Sequence, residues 1–102
     1  APFVVFDDAD IDAAVDGAIV SKYRNMGQTC VCANRIYAQA GIHDAFVAKL
    51  AEAVRKLKVG DGMAQGTDMG PIYSDEHRQS IIQWIGVGES EGAELVVDVS
   101  RH

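Results

Sequence analysis

Cys30 is the residue of this chain best suited to nucleophilic chemistry. It directly follows a glycine and two small polar residues, and Arg24 lies six residues before it while Arg35 lies five residues after it. A cysteine attacks electrophiles only as its thiolate, which nearby positive charge and exposed backbone N–H groups favour. The commoner state of a single cysteine is a small, buried, apolar side chain. The residues alone therefore leave both interpretations of Cys30 open.

Cys32 lies two residues after Cys30. Two thiols at this spacing are too close for a relaxed disulfide loop, although a strained and readily reduced disulfide between them is feasible. Such a bond would block Cys30, so Cys32 is either a redox partner of Cys30 or a packed small side chain. We expect no metal site, because no second cysteine pair or histidine cluster has the spacing of metal ligands.

Composition and charge exclude several classes of protein. The chain has 102 residues, enough for one small domain at most. Its formal net charge of −6 argues against a nucleic-acid partner, because phosphate binding needs a basic face. No apolar run approaches the roughly 20 residues that span a bilayer, and no secretory signal is visible. Two cysteines one residue apart make no disulfide framework, so we expect a cytoplasmic location and no membrane partner.

Strands and helices alternate along the sequence. The β-branched and aromatic run 3–6 predicts a strand buried on both faces, because it has no polar alternation. A helix capped by Asp8 or Asp10 follows and ends at Gly27, and a second strand is predicted around 35–38. The clearest helical periodicity covers residues 42–57.

The last part of the sequence predicts a further helix and a strand. Ser74 can cap the helix, and its buried stripe consists of Ile81, Ile82 and Ile85. Glycines at 86, 88 and 92 are expected to fray its end before a strand at 94–97. This order of elements favours an α/β fold with a largely parallel sheet. Both ends have strand-like sequence, which is unusual for a natural domain, so we expect residues 1–102 to be a piece of something larger.

The segment around Cys30 resembles the nucleophile segment of the aldehyde dehydrogenases. The pattern of that family is an aromatic residue, any residue, Asn, any residue, and then Gly-Gln-x-Cys. Tyr23, Asn25, Gly27, Gln28 and Cys30 fill these places in order. With Arg24 and residues 28–32 included, the segment is most similar to the succinate-semialdehyde dehydrogenase branch.

The resemblance extends over nearly the whole chain. Residues 2–10 resemble the strand and helix that enter the catalytic domain of the family, residues 59–62 and 69–72 match a loop after the nucleophile, and residues 91–95 resemble a helix-to-strand corner. It implies that residues 1–102 form a single fragment of the nucleophile-bearing catalytic domain, with a mostly parallel sheet, flanking helices and no cofactor-binding domain.

The resemblance implies oxidation of an aldehyde, most specifically of succinic semialdehyde to succinate, with NAD or NADP. In the family the thiolate, here Cys30, forms a thiohemiacetal; hydride then passes to the nicotinamide, and water hydrolyses the resulting thioester. The backbone N–H of Cys30 is the expected oxyanion donor. Arg24, Asn25 and Thr29 are the expected substrate-binding residues, with the Arg24 guanidinium pairing with the far carboxylate of the substrate. The alternative for Arg24 is an exposed arginine on a helix surface.

Several parts of the family's site are expected outside this chain. The resemblance puts the general-base glutamate, in a Glu-Leu-Gly-Gly element, and an oxyanion-hole asparagine before Ala1, and a second, cofactor-contacting glutamate after His102. Loss of such groups costs orders of magnitude in rate, so the isolated chain is expected to be inactive and to bind no cofactor. The parent is expected to take a small aldehyde and to be a homo-oligomer. The alternative is a separately encoded, non-enzymatic module that self-associates or binds other subunits through a sheet edge.

Overall fold

The computed structural model describes residues 1–98. Two strands, β1 and β2, pair in parallel, with Pro2 opposite Arg35 and Val5 opposite Ala38. Helices follow both strands, which confirms the predicted α/β class with a parallel sheet and flanking helices. In chain order the elements are β1 (Pro2–Val5), α1 (Ile11–Tyr23), a 3₁₀ turn (Arg24–Gly27), β2 (Arg35–Ala38), α2 (Ala40–Arg55) and α3 (Asp75–Ser90).

One core joins β1, α1 and α2. Phe46 of α2 is the largest fully buried side chain, with 1% of its surface exposed. It packs in a cluster with Val5 of β1 and with Val15 and Ala18 of α1. Because Ala18 is small and completely buried, α1 and α2 can approach closely at this point. The helix that connects the two parallel strands is thus fixed against the sheet on one side.

The start of α1 follows its predicted capping. The Asp10 carboxylate accepts a hydrogen bond from the backbone N–H of Ala13 at 3.1 Å, which satisfies a donor that lacks a partner within the helix. Asp12 in the first turn is favoured by the helix dipole and forms an ion pair with Lys49 of α2 at 2.6 Å. The end of α1 differs from the prediction, because the helix stops at Tyr23 and a separate turn leads to Gly27.

The exposed face of the sheet contradicts one expectation. Val5 is buried, but Val4 and Phe6 are 54% and 61% exposed. The prediction of a strand buried on both faces is therefore wrong for β1 in the described part of the chain, because the helices within residues 1–98 pack on one side of the sheet only.

The cap of α3 is confirmed, since the Ser74 hydroxyl accepts from the backbone N–H of His77 at 3.1 Å. The isoleucine stripe is only half-buried and lines a cavity of about 630 Å³ between α3 and the end of α2. The predicted fraying at Gly86 and Gly88 is wrong, because the helix continues through both to Ser90. A glycine inside a helix lowers the stability of that helix by only about 1 kcal/mol relative to alanine, so the helix can continue through it.

The strand predicted at 94–97 is also absent. Residues 91–98 are irregular, and Leu95 and Val96 are 40% and 45% exposed. A strand needs a neighbouring strand for its backbone hydrogen bonds, and the β1–β2 sheet does not extend to this segment. No helix within residues 1–98 is long and apolar enough to cross a membrane.

Candidate nucleophile site

A left-handed turn reverses the chain between α1 and Cys30. Asn25, Met26 and Gly27 have φ angles of 49°, 60° and 77°. This conformation is open to glycine and tolerated by asparagine, but it is unfavourable for other L-residues. At Gly27 a Cβ atom would also lie 3.2 Å from the carbonyl oxygen of Lys22. Both the backbone angle and the space therefore favour glycine here.

Asn25 and Gln28 hold this turn through reciprocal hydrogen bonds. The backbone N–H and the side-chain Nε2 of Gln28 both donate to the Asn25 carbonyl oxygen at 3.0 Å. The Asn25 amide Nδ2 donates to the Gln28 carbonyl oxygen at 3.4 Å. Gln28 Oε1 also accepts from the backbone N–H of Tyr73 at 3.5 Å, which connects the turn to the segment before α3. The Asn25 side chain is thus engaged in the turn, and its contact with a substrate stays a prediction.

Cys30 lies at the tip of a second turn. The backbone N–H of Cys32 donates to the Thr29 carbonyl oxygen at 3.1 Å, which closes a four-residue turn with Cys30 and Val31 at its centre. Cys30 is exposed and free, and Val31 is 68% exposed. A thiol presented in this way is open to an electrophile from solvent.

Cys32 occupies the opposite environment. It is also free, but it is only 6% exposed, and its Sγ donates to the carbonyl oxygen of Lys22 at 3.2 Å. Burial raises the pKa of the neighbouring Tyr23 hydroxyl above its ordinary value of 10.0, and negative charge on Cys32 raises it further. Pairing of Cys32 with Cys30 stays a prediction, and it would require Sγ to leave the Lys22 carbonyl.

Arg24 and Thr29 line one open groove, which Cys30 itself does not line. The groove has a volume of about 410 Å³, and its other lining residues are Asp16, Gly17, Val20, Ser21 and Val31. Arg24 is exposed at the end of α1 and has no ion-pair partner within residues 1–98. The structure thus brings two of the three predicted substrate residues to one concave surface, and Cys30 lies next to this surface in sequence, between the lining residues Thr29 and Val31.

The described residues do not fit a dinucleotide cofactor. Phosphates bind at helix N-termini that follow a glycine-rich turn, whereas the N-terminus of α1 is occupied by the Asp10 side chain and carries Asp12. The N-terminus of α2 has the Asp7 carboxylate beside Gly41, within 2.9 Å of where a Cβ would stand. All three carboxylates repel a pyrophosphate. Within residues 1–98, no group of three or more His, Cys, Asp or Glu side chains could hold a metal ion.

Comparison with known proteins identifies the family. The sequence profile described as the aldehyde dehydrogenase family matches residues 1–102. The chain belongs to this family. Its aldehyde dehydrogenase relatives include the glutarate-semialdehyde dehydrogenase of Pseudomonas aeruginosa, 54% identical over the whole chain, which covers 21% of that protein. The succinate-semialdehyde dehydrogenase (NADP(+)) of Escherichia coli K12 is 48% identical over the whole chain and is also covered to 21%. The chain therefore spans about a fifth of the length of these relatives.

Solved aldehyde dehydrogenase structures contain the same fold. The succinate-semialdehyde dehydrogenase of Burkholderia pseudomallei superposes with a TM-score of 0.90 at 53% identity, over 93% of this chain and 20% of that one. The betaine aldehyde dehydrogenase of Staphylococcus aureus, solved in complex with NAD⁺, gives a TM-score of 0.91 at 42% identity, over 94% of this chain and 19% of that one. The fold of this chain is thus the corresponding part of the aldehyde dehydrogenase structure.

Two features of the site were missed by the sequence analysis. One is the left-handed conformation of Asn25 and Met26, for which Asn-x-Gly is a usable turn signal because both asparagine and glycine favour such angles. The other is the bond from Cys32 Sγ to the Lys22 carbonyl. No sequence pattern signals that bond, because it joins residues that the turn brings together.

Proposed function

We propose that this chain is the nucleophile-bearing segment of an aldehyde dehydrogenase that oxidises an aldehyde through Cys30. The observation that carries the proposal is the exposed Cys30 at the tip of the Thr29–Cys32 turn, whose first residue lines the same groove as Arg24. The match of the family profile to the whole chain supports it. We also propose that residues 1–102 are one fragment of the catalytic domain, and that the cofactor-binding domain of the complete enzyme lies outside these residues.

The chemistry assigned to this segment is the addition step. The Cys30 thiolate forms a C–S bond to the aldehyde carbon, and the carbonyl π electrons move to the oxygen. The backbone N–H of Cys30 stabilises that oxygen, which then takes a proton from solvent to give a thiohemiacetal. NAD or NADP accepts the hydride in the complete enzyme, but residues 1–98 do not fit it. We therefore expect the isolated chain to stop at the thiohemiacetal, with no aldehyde-dependent formation of reduced nicotinamide.

The proposed substrate is a small aldehyde with a second, anionic group, such as succinic semialdehyde. Relatives that are 48–54% identical are named for glutarate semialdehyde, succinate semialdehyde and 3-sulfolactaldehyde, each of which is such a compound, whereas the 42% identical betaine aldehyde dehydrogenase is named for a cationic aldehyde. Arg24 supplies a guanidinium that is free to form a bidentate pair with a carboxylate. Thr29 lines the same groove, while Asn25 supports its wall through the left-handed turn.

Protection of Cys30 from alkylation tests the addition step and the role of Arg24 together. Site-mapped alkylation by iodoacetamide is measured with succinic semialdehyde or with butanal at equal concentration. We expect succinic semialdehyde to slow the labelling of Cys30 more than butanal does, and Arg24→Ala to abolish that difference. Arg35→Ala is the matched control, because Arg35 lies in β2 outside the groove, and it should behave like the wild type. Equal protection by both aldehydes in the wild-type chain contradicts the carboxylate role of Arg24.

Redox pairing of Cys30 with Cys32 is a further part of the proposal. Both thiols are free, and they are two residues apart. Peptide mapping without reductant, after exposure to oxidised glutathione, should detect a Cys30–Cys32 disulfide that disappears with dithiothreitol. A mixed disulfide of Cys30 with glutathione as the sole product would contradict the pairing.

A second candidate function is a non-enzymatic module that self-associates. The outer edges of the β1–β2 sheet have no strand partner within residues 1–98, and Val4, Phe6 and Tyr37 are exposed beside them. Open edges of this kind pair readily with other chains. Sedimentation velocity over a range of concentrations separates the candidates, because a stable oligomer with no aldehyde protection of Cys30 favours the module. Homo-oligomerisation of the complete enzyme and a cytoplasmic location stay predictions.

A further inference from the structure

Cys32 lies where three segments of the site meet. Its Sγ donates to the carbonyl oxygen of Lys22 in the last turn of α1, where helix carbonyls lack partners within the helix. Its backbone N–H closes the turn that carries Cys30 by donating to Thr29. The side chain is buried, although Val31 beside it is mostly exposed. One residue thus connects the end of α1 to the turn of the nucleophile.

The left-handed turn passes directly over this connection. A Cβ on Gly27 would lie 3.2 Å from the Lys22 carbonyl oxygen and 3.9 Å from Cys32 Sγ. The absence of a side chain at Gly27 therefore leaves room for the bond between the thiol and the carbonyl. A Cβ at position 27 would press on the Lys22 carbonyl oxygen, which accepts the bond from the thiol, whereas its distance from Sγ is an ordinary contact.

We propose that Cys32 is a positioning residue, whose thiol fixes the Thr29–Cys32 turn to the C-terminal end of α1 and thereby sets where Cys30 is presented. This inference rests on the proposed role of Cys30 as the nucleophile. The two cysteines then have different roles: Cys30 reacts with the aldehyde, and Cys32 holds the turn in position. The inference also sets the order of events for the redox hypothesis, because Sγ of Cys32 must leave Lys22 before it can reach Cys30.

The test compares side chains that keep or lose the donor at position 32. Cys32→Ser keeps a donor, whereas Cys32→Ala and Cys32→Val do not, and valine also keeps the buried volume filled. Amide hydrogen exchange measured by NMR reports the turns directly, because the amide of residue 32 bonds to Thr29 and that of Gln28 bonds to Asn25. Amides of Phe46 and Leu50 in α2 serve as the internal reference.

We expect Cys32→Ala and Cys32→Val to speed exchange at positions 28 and 32 by about five- to tenfold, the usual worth of one hydrogen bond. The α2 amides should be unchanged, and Cys32→Ser should stay within about twofold of the wild type at positions 28 and 32. Ile42→Val is the control for general destabilisation, because Ile42 belongs to the core and not to the turn. It should lower the denaturation midpoint without speeding exchange at 28 and 32.

Three results would overturn the proposal: wild-type exchange in all the Cys32 variants, equal acceleration in Cys32→Ser and Cys32→Ala, or equal acceleration in Ile42→Val. If Cys32→Ala does not fold, the comparison of Cys32→Ser with Cys32→Val decides in the same way. The measurement uses neither aldehyde nor nicotinamide. Failure of the proposed function would therefore appear as unprotected Cys30 in the alkylation experiment, with the exchange pattern intact.

Discussion

The first half of the chain, through the end of α2 at Arg55, and the second half, which contains α3, differ in what their helices pack against. All fully buried side chains of residues 1–98 lie between Val5 and Ala51, and α3 has none. Both α2 and α3 have an apolar face, but only the face of α2 meets a sheet and a second helix. The amphipathic pattern of a helix is thus set by its own sequence, whereas its burial depends on a partner. The nucleophile turn is attached to the half that has its own core.

Truncation of one core residue in each half should separate them most clearly. Phe46→Ala leaves a cavity in the β1–α1–α2 core and should lower the free energy of unfolding by about 3–5 kcal/mol. Ile82→Ala removes a half-buried side chain of α3 and should cost less than about 1 kcal/mol. Urea unfolding followed by far-UV circular dichroism measures both. An equal loss in the two variants would mean that α3 belongs to the same cooperative unit.

Alanine substitutions at two glycines with left-handed φ angles test whether the nucleophile turn is closely packed. Gly27→Ala introduces a Cβ close to the Lys22 carbonyl at φ 77° and should lower the free energy of unfolding by about 2 kcal/mol. Gly66→Ala has a similar φ of 85° but open space around it, so about 1 kcal/mol is expected. The same urea titration gives both values, and the argument from space fails if Gly66→Ala is the more damaging substitution.

Removal of the helix caps gives a closer comparison of the two halves. In both α1 and α3, a side-chain oxygen of the cap residue accepts a hydrogen bond from a backbone N–H of the first turn. Asp10→Ala removes the cap of α1 and should lower the unfolding free energy of the core by about 1 kcal/mol. Ser74→Ala removes the cap of α3, and we expect it to shift only the transition reported by Trp84 fluorescence, since Trp84 lies in α3. Coincident shifts of the Trp84 and circular dichroism transitions in Ser74→Ala would contradict two separate units.

The smallest expected effect is a pH dependence from Tyr23. Burial raises its pKa in the folded state, so above pH 10 the unfolded chain loses this proton more readily than the folded chain. The free energy of unfolding should therefore fall as the pH rises above 10. Tyr23→Phe should reduce that slope, as measured by urea unfolding at a series of pH values. Equal slopes in the wild type and Tyr23→Phe would contradict this role of Tyr23.

Local signals were sufficient to predict most of the first half. The periodicity of residues 42–57 corresponds to α2 at Ala40–Arg55, and Asp10 caps α1. These features depend on side chains within one turn of each other, so they can be read from sequence. The strand expected at 94–97 depended instead on a neighbouring strand that the sheet of residues 1–98 does not provide.

The candidate site likewise has one part that could be predicted from the sequence and one part that could not. The motif predicted that Arg24, Thr29 and Cys30 belong to one site, and the structure places Arg24 and Thr29 on one groove, while Cys30 is exposed on the turn that begins at Thr29. The sequence left the state of Cys32 open, because its burial depends on a left-handed turn in which Met26 adopts an angle unfavourable for its type. Such an angle persists only where surrounding contacts enforce it.

The parallel pairing of β1 and β2 has a consequence for the order of folding. Pro2 meets Arg35 only after the whole of α1 and both cysteines have been enclosed in the loop between the strands, and contacts so distant in sequence form slowly. Cys32 lies just before β2 and is buried in the folded chain, while Cys30 is exposed there. In a refolding experiment with pulses of a thiol reagent, the rate at which Cys32 alone loses its reactivity therefore reports when its contact with the end of α1 forms, and comparison with the rate of sheet formation shows which of the two comes first.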